Sequence, residues 1–248
     1  ASDVDTDELT YSILGGSEIT ASLDGNEILF SVSENYNGSE SFIVSVFDGE
    51  LYDNQEILVT INPVNDLPVA TTGLFGTTDE DLSVVITLSG SDIDGDNLIF
   101  SLNTDASNGL VIIDGSIATY SPSSNFNGSD SFIFNVSDGE LISSASVSLT
   151  IQEVNDPPVL LNVEDISFEE DGTAYISFDA YDIDEDSLEF DITSGSDNTI
   201  QSSFGGSDAY FTSAQNFNGS ESFTISVSDD EFTISETIIV TVTPVNDA

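Results

Sequence analysis

The chain has 248 residues, of which 47 are Asp or Glu and none is Lys, Arg or His, so its formal net charge at pH 7 is −47. No side chain can neutralise a phosphate, which excludes nucleic acid and anionic membrane surfaces as partners. The absence of cysteine excludes disulfides and thiolate metal sites. The partners that remain are neutral, basic or metallic.

The apolar residues favour a folded protein over a disordered one. They make up 38% of the chain, and Phe alone occurs 16 times, so a core can form despite the charge. No apolar run approaches the ~20 residues of a membrane span, so we expect no membrane insertion. No signal peptide is present and the first residue is Ala1, from which we expect an internal piece of a longer chain.

Four motifs recur in a constant order, with copies of each about 90 residues apart. A fixed period with all motifs in step predicts an array of similar units. The copies are "DVDTDELTYS" (3–12), "DIDGDNLIFS" (92–101) and "DIDEDSLEFD" (182–191); "NYNGSESF" (35–42), "NFNGSDSF" (125–132) and "NFNGSESF" (216–223); "VFDGE" (46–50), "VSDGE" (136–140) and "VSDDE" (227–231); "INPVNDLPV" (61–69), "IQEVNDPPV" (151–159) and "VTPVNDA" (242–248).

The Val-Asn-Asp motifs mark the boundaries of three predicted domains. Repeat 1 covers 1–66, repeat 2 covers 67–156 and repeat 3 covers 157–248. Pro68 and the pair Pro157–Pro158 stiffen links of almost zero length, so neighbouring repeats should nearly touch. Repeat 1 lacks roughly 25 residues that precede the Asp-x-Asp motif elsewhere, so we expect it to lack its first strand and first acidic loop.

Apolar residues alternate along each repeat, and no stretch shows a convincing helical period. Period two predicts half-buried strands, and about seven short strands in ~90 residues predict a Greek-key sandwich. In repeat 2 the predicted strands lie near 69–78, 82–89, 97–103, 108–113, 116–121, 130–138 and 145–152. We therefore predict an all-β chain of tandem Ig/cadherin-like sandwiches arranged end to end.

The motifs together resemble the cadherin-like repeats of large bacterial surface proteins and adhesins. The segment "VSDGELISSASVSLTIQEVNDPPV" (136–159) is similar to the end of a cadherin repeat, and "DIDGDNLIFSL" (92–102) to its Asp-x-Asp segment. "DEDL" (79–82) and "EEDG" (169–172) stand where a cadherin repeat places its first Glu. The resemblance covers the whole chain.

The resemblance implies calcium ions at the joints between repeats. At the joint of repeats 1 and 2 the implied ligands are Asn35 or Asn37, Asn65, Asp66, Asp92, Asp94 and Asp138. At the joint of repeats 2 and 3 they are Glu80, Asn125 or Asn127, Asn155, Asp156, Asp182, Asp184 and Asp229. Glu170 takes the place of Glu80 in repeat 3, while Asp3, Asp5 and Asp48 would form the lower half of a preceding joint. Where cadherins have Asp-Arg-Glu, this chain has "NFN" (125–127), so amides replace carboxylates there.

The chemistry of the residues independently favours calcium, which takes six to eight hard oxygen ligands. Clustered carboxylates repel one another unless a cation lies among them, and this chain has no basic side chain. A solvated acidic loop is the alternative for the Asp-x-Asp motif. An EF-hand is excluded, since Gly95 is fourth in its loop rather than sixth and Asn103 stands at the twelfth position.

The Asn-Gly-Ser motif has a simpler explanation as a turn that begins a Phe-bearing strand. Calcium ligation is the alternative, and each copy is also a formal glycosylation sequon. Its acidic residue (Glu40, Asp130 or Glu221) is expected to be a solvated or edge-protecting charge rather than a direct metal ligand.

An enzyme is not expected, because the chain has no His, Cys or Lys to act as base or nucleophile. Paired carboxylates could cleave glycosides, but their recurrence in every repeat suits a structural role. We expect a calcium-rigidified extracellular stalk of a bacterial surface adhesin, with calcium, neighbouring repeats and cell-surface glycans or proteins as partners. A carbohydrate-binding module of a secreted protein is the alternative, although no aromatic platform is evident in a chain with no Trp and seven Tyr.

Overall fold

The computed structural model describes residues 1–2, 4, 8–194 and 199–246, and every structural statement below concerns these residues. They form 23 β-strands and no helix, which confirms the predicted all-β class. No helix long and apolar enough to cross a membrane occurs in this part of the chain. The backbone forms two compact units, one of Ala1–Gly76, Val84–Tyr120 and Asp130–Leu149, the other of Thr77–Ser83, Ser121–Ser129 and Thr150–Ala248.

Repeat 1 lies in the first unit and contains a three-stranded sheet and a hairpin. Its strands are β1 (Thr10–Gly15), β2 (Ile19–Asp24), β3 (Glu27–Val32), β4 (Gly38–Phe47) and β5 (Tyr52–Ile61). The sheet has the order β1-β4-β5, and β2 pairs with β3. Ile19 and Phe42 are the buried hydrophobic residues that the structure describes in this repeat. The Phe30 ring meets Phe42 edge to face at 5.1 Å, so the core here is small.

Repeat 2 has two main sheets around a larger core. Its strands are β6 (Val69–Ala70), β7 (Leu74–Asp79), β8 (Val84–Thr87), β9 (Gly90–Ser91), β10 (Ile99–Thr104), β11 (Gly109–Asp114), β12 (Ile117–Pro122), β13 (Gly128–Ser137) and β14 (Ile142–Gln152). The sheets have the orders β10-β13-β14-β7, β11-β12-β8 and β6-β9. The predicted strand at 69–78 is divided into β6 and β7, because β6 pairs with β9 while β7 joins the larger sheet. Gly73, with φ of 76°, lies at this division. The predicted strand at 82–89 corresponds to β8, and β9 follows it as a separate short strand.

Repeat 3 lies in the second unit and has the same arrangement. Its strands are β15 (Val159–Leu161), β16 (Ile166–Glu169), β17 (Thr173–Ser177), β18 (Asp179–Tyr181), β19 (Glu189–Ser194), β20 (Ile200–Gly205), β21 (Asp208–Ser213), β22 (Gly219–Ser228) and β23 (Thr233–Thr243). The sheets have the orders β16-β23-β22-β19, β17-β21-β20 and β15-β18, and β16 runs parallel to β23. Phe211 and Ile200 from the smaller sheet share one buried cluster with Phe223 and Val240 from the larger one. Two sheets with interdigitating inner faces form a sandwich core.

A turn begins each Phe-bearing strand, as the sequence predicted, but it lies just before the Asn-Gly-Ser residues, whose Gly already starts the strand. The Asn two positions before each Asn-Gly-Ser adopts the left-handed conformation that Asn tolerates better than most residues. The φ values are 62° at Asn35, 56° at Asn125 and 58° at Asn216. The backbone N–H groups of Tyr36, Phe126 and Phe217 donate to the carbonyls of Ser33, Ser123 and Ala214 at 3.1–3.3 Å. Each turn leads into the long strand that carries the buried Phe residues.

The acidic residue of this motif anchors a neighbouring strand, so the expectation of a solvated or edge-protecting charge is wrong. The carboxylate of Glu40 accepts the backbone N–H groups of Ser17 (3.0 Å), Glu18 (3.1 Å) and Ile19 (2.9 Å) at the start of β2. It also accepts the Ser17 hydroxyl at 2.7 Å. The Ser17 hydroxyl and then these backbone donors lower the pKa of Glu40 to about 2.

The corresponding acids of the other repeats make the same kind of contact. Asp130 accepts the backbone N–H of Asn108 at 2.8 Å and the Tyr120 hydroxyl at 3.0 Å. Burial alone would raise the pKa of Asp130, but the hydrogen bonds outweigh it and the pKa is lowered. Glu221 is 6% exposed and accepts the backbone N–H of Ile200 at 3.1 Å. A buried carboxylate is tolerated here because backbone donors satisfy it.

Candidate metal sites

The first acidic cluster lies in the first compact unit, in the loop that follows β9. Asp92, Asp94 and Asp96 place carboxylate oxygens within 4.8 Å of one another and could hold a metal ion. Oδ1 of Asp92 accepts the backbone N–H groups of Asp94 at 2.9 Å and Asp96 at 3.3 Å. Gly95 has φ of 82°, which lets the loop turn this tightly. Asp96 was absent from the expected ligands, although it is the third acid of the motif.

Asn65 and Asp66, just before repeat 2, join the same cluster. The backbone N–H of Asp66 donates to Oδ2 of Asp94 at 2.7 Å. The side-chain amide of Asn65 donates to Oδ2 of Asp138 at 3.0 Å. The N–H of Leu141 is the strongest of several donors that lower the pKa of Asp138 against the opposing effect of burial. The structure therefore brings all the implied ligands of this joint except Asn35 and Asn37 into one network. These are Asn65, Asp66, Asp92, Asp94 and Asp138.

The upstream amides lie beside this cluster without bonding to it. Asn37 lines a cavity together with Asn65 and Asp94. Asn35 lines another with Asp66 and Asp92. In the described part of the chain, no hydrogen bond links either amide side chain to these acids. Their role as ligands stays a prediction.

The second acidic cluster lies within the second compact unit and repeats the contacts of the first. The backbone N–H of Asp184 donates to Oδ1 of Asp182 at 2.9 Å, and that of Asp156 to Oδ2 of Asp184 at 2.7 Å. The Asn155 amide donates to Oδ2 of Asp229 at 3.1 Å. Burial would raise the pKa of Asp229, but backbone N–H groups and the Asn155 amide outweigh it, so the pKa is lowered. Asn155, like Asn65, orients a carboxylate through its side-chain amide nitrogen.

Glu80 distinguishes the second cluster. It is 4% exposed, and its backbone N–H donates to the carbonyl of Gln152 at 2.9 Å. Its Oε1 accepts the backbone N–H of Val154 at 2.6 Å, one residue before Asn155. Its Oε2 is buried and has no hydrogen-bond partner among the described residues. A buried carboxylate oxygen without a donor is costly, and a cation bound there would remove that cost.

Of the two alternative amides, Asn125 rather than Asn127 contacts the cluster. The Asn125 amide donates to Oδ2 of Asp156 at 2.7 Å. Its backbone N–H donates at 3.1 Å to Oδ1 of Asp81, which is not among the implied ligands. Asn127 is exposed, and the structure shows no hydrogen bond from its side chain within the described ranges. Ligation by either amide stays a prediction.

Glu170 reproduces the surroundings of Glu80 at the far end of repeat 3. Its Oε1 accepts the backbone N–H of Val245 at 2.6 Å. The neighbouring Asp171 accepts the backbone N–H of Asn216 at 3.2 Å, as Asp81 accepts that of Asn125. No described contact joins Glu170 to Asp182, Asp184 or Asp229. For the half-site expected in repeat 1, Asp3 and Asp5 lie outside the described residues, while Asp48 accepts the backbone N–H of Leu51.

The donor set fits a calcium ion. Two further acids share the unpaired oxygen seen at Glu80. In the part of the chain that is described, Asp92 and Asp182 each have a buried Oδ2 atom without a hydrogen-bond partner. These atoms are hard carboxylate oxygens, which calcium prefers, and each belongs to a network of further carboxylate and amide groups. Nitrogen and sulfur ligands typical of zinc are absent from the sequence.

The family model described as "Bacterial Ig domain" matches residues 65–150 and 155–243. No curated protein matches the chain. Among solved structures, PcdhgB3 EC1-4 is 11% identical over 96% of this chain and 67% of its own, with a TM-score of 0.61. Mouse protocadherin-24 EC1-3 is 14% identical over 94% of this chain and 90% of its own, with a TM-score of 0.54. These likenesses show the fold, which is that of tandem Ig/cadherin-like sandwiches, as the sequence predicted.

The first matches among solved structures include one larger protein of a different kind. The endo-fucoidan hydrolase MfFcnA4 from glycoside hydrolase family 107 is 22% identical over 96% of this chain, with a TM-score of 0.35. The chain spans only 39% of the length of that structure.

Proposed function

The chain belongs to the bacterial Ig domain family, and on that premise we propose that it is a calcium-rigidified segment of an extracellular stalk in a bacterial surface adhesin. The observation that carries the proposal is the set of buried carboxylate oxygens without hydrogen-bond donors at Glu80, Asp92 and Asp182. Such atoms destabilise a metal-free protein, and a bound cation removes that cost.

Calcium would be held at two joints. At the first, Asp66, Asp92, Asp94 and Asp138 would supply carboxylates, with Asp96 close enough to take part. At the second, the corresponding carboxylates are Asp156, Asp182, Asp184 and Asp229, with Glu80 in addition. Asn65 and Asn155 would hold Asp138 and Asp229 in place. The ion would neutralise each cluster and supply bonds that cross the short link between repeats.

The mechanical consequence is loss of hinge freedom. The link between repeats contains few residues, and its Asn-Asp pair bonds to acids of the following repeat. Without calcium, like charges packed within a few ångströms repel by several kcal/mol at an effective dielectric constant of about 20. With calcium the same charges attract one ion. A stalk built this way stiffens in calcium-rich surroundings and carries more distal domains away from the cell.

Small-angle X-ray scattering with and without calcium tests the proposal. We expect the distribution of maximum dimensions to be narrow in millimolar calcium and broad in chelator. Asp184→Ala should broaden it in calcium, whereas Asp114→Ala should not, because Asp114 is an exposed acid at the end of β11 and is not among the implied ligands. Identical scattering with and without calcium would refute the proposal. Antibody labelling of intact cells tests the extracellular location separately.

A further inference from the structure

Two tyrosines lie exposed side by side on the smaller sheet of repeat 3. Tyr175 in β17 and Tyr210 in β21 are direct cross-strand partners. Their ring centroids are 6.1 Å apart, with 30° between the ring planes. Tyr175 is 67% exposed and Tyr210 is 46% exposed. Aromatic rings contribute more contact energy than other side chains, so two adjacent rings left in water indicate a binding surface.

Polar side chains flank the two rings on the same sheet face. The Tyr210 hydroxyl donates to Oδ2 of Asp208 at 3.4 Å, and the Ser177 hydroxyl donates to Oδ1 of the same carboxylate. The neighbouring positions on this face carry hydroxyl, amide or carboxylate groups, at Thr173, Thr212, Gln201, Ser203, Ser177 and Asp208. We call Tyr175, Tyr210 and these neighbours the tyrosine face.

We propose that the tyrosine face binds a neutral polysaccharide. The faces of pyranose rings carry C–H groups that stack on aromatic rings, and the sugar hydroxyls match the surrounding donors and acceptors. With ring centroids 6.1 Å apart, both tyrosines are within reach of one sugar chain. Sulfated and uronic acid polymers are repelled, because the protein has a formal charge of −47 and no basic side chain.

The size of the face argues against a protein partner. A Tyr side chain buries about 150–250 Å² at most, so the two rings together supply roughly half of the ~800 Å² that each partner buries in a standard protein interface. The rows beside them are polar. A small, flat patch of this composition suits an extended sugar chain.

Repeat 2 provides an internal comparison. There Val85 in β8 pairs with Thr119 in β12, at the place where Tyr175 pairs with Tyr210. Val85 is 61% exposed but offers no ring. The proposal is therefore confined to repeat 3, and it does not depend on calcium at the joints.

Native affinity electrophoresis of the whole chain tests the proposal, with dextran, laminarin or hydroxyethylcellulose in the gel and alginate as the anionic control. We expect at least one neutral polymer, but not alginate, to retard the protein. Tyr175→Ala and Tyr210→Ala should each weaken binding about 3- to 10-fold. Tyr175→Phe, which keeps the ring, should retain most of it, and Val85→Ala should bind like the original chain.

Two results would overturn the proposal. One is the lack of retardation by all three neutral polymers. The other is equal retardation of the original chain and the Tyr175→Ala/Tyr210→Ala double variant, once circular dichroism shows that both are folded. Sedimentation of the same proteins tests whether a second copy of the chain occupies the tyrosine face instead. Self-association that the double variant loses, without retardation in any gel, would show that the face is a contact between copies of this chain.

Discussion

The two acidic clusters are alike on the downstream side and differ on the upstream side. The amide-to-carboxylate distances are 3.0 Å for Asn65 and 3.1 Å for Asn155, and the backbone N–H groups of Asp66 and Asp156 both donate at 2.7 Å. Glu80, by contrast, bonds beside the second cluster, where its Oε1 accepts the backbone N–H of Val154. No described residue of repeat 1 takes its place.

Under the proposed function, each site would be divided between two repeats. A repeat's own Asp-x-Asp loop and later Asp would form one half, and the early Glu of the preceding repeat would belong to the other. The second cluster adds a buried carboxylate and the contact of Asn125 with Asp156. Since calcium affinity rises with the number of charged oxygen ligands, we expect the second cluster to bind more tightly than the first. Three experiments test this comparison.

The largest effect is expected from Asp184→Ala. A site with calcium at 100 times its dissociation constant adds about 2.7 kcal/mol to the free energy of unfolding, and this variant should lose most of it. Asp94→Ala, the corresponding change in the first cluster, should lose less. Thermal unfolding in calcium and in chelator measures both, with Asp114→Ala as the control. If the two variants lose the same stability in calcium, the clusters do not differ in affinity. If each variant loses as much stability in chelator as in calcium, Asp184 and Asp94 are not ligands.

The effect of Glu80→Gln on the free energy of unfolding is expected to change sign between calcium and chelator. In calcium the variant should be less stable, because the ligand loses its charge. In chelator it should be more stable by about 1 kcal/mol, since the amide keeps an oxygen for Val154 and removes the unpaired buried charge. Thermal unfolding under both conditions measures the two signs. Destabilisation in both conditions would mean that Glu80 serves the fold rather than a metal.

The smallest effect on the free energy of unfolding is expected from Glu40→Gln. It is measured in chelator, so that metal binding at the two clusters does not contribute. The pKa of Glu40 is lowered from 4.5 to about 2. The stability it provides is therefore complete above the unfolded pKa and is lost as the pH falls through the folded pKa. Glu40→Gln should destabilise the chain at pH 6, and the difference should vanish near pH 2. Glu27→Gln, at an exposed acid that begins β3, is the control. A difference independent of pH would show that the charge of Glu40 is not responsible.

Local sequence patterns predicted the features that depend on residues close together in the chain, such as strands and turns. Alternation along Phe132, Phe134 and Val136 indicated a strand with one buried face, and all three are buried. The turn before the Phe-bearing strand follows from the tolerance of Asn for positive φ, which Asn125 shows. The division of the first predicted strand at Gly73 was missed, because it depends on which strands β6 and β7 pair with.

The role of Glu40 was misjudged for a similar reason. Its donors lie 21–23 residues earlier in the chain, and nothing around Glu40 in the sequence indicates them. Tyr175 and Tyr210 are likewise far apart in sequence and become neighbours only through cross-strand pairing. The motif spacing placed the candidate ligands in the right loops. It could not show that Asn125 rather than Asn127 contacts Asp156.

The sequence by itself determined the all-β class, the repeating organisation and the acids from which a metal site could form. These depend on periodicity and composition, which are properties of the chain before it folds. The tertiary structure alone decided that Glu80 is buried with one oxygen unpaired, that Glu40 anchors β2, and that two tyrosines share a face. Each of these depends on contacts between residues distant in sequence, and long-range pairing is what folding adds to the local pattern.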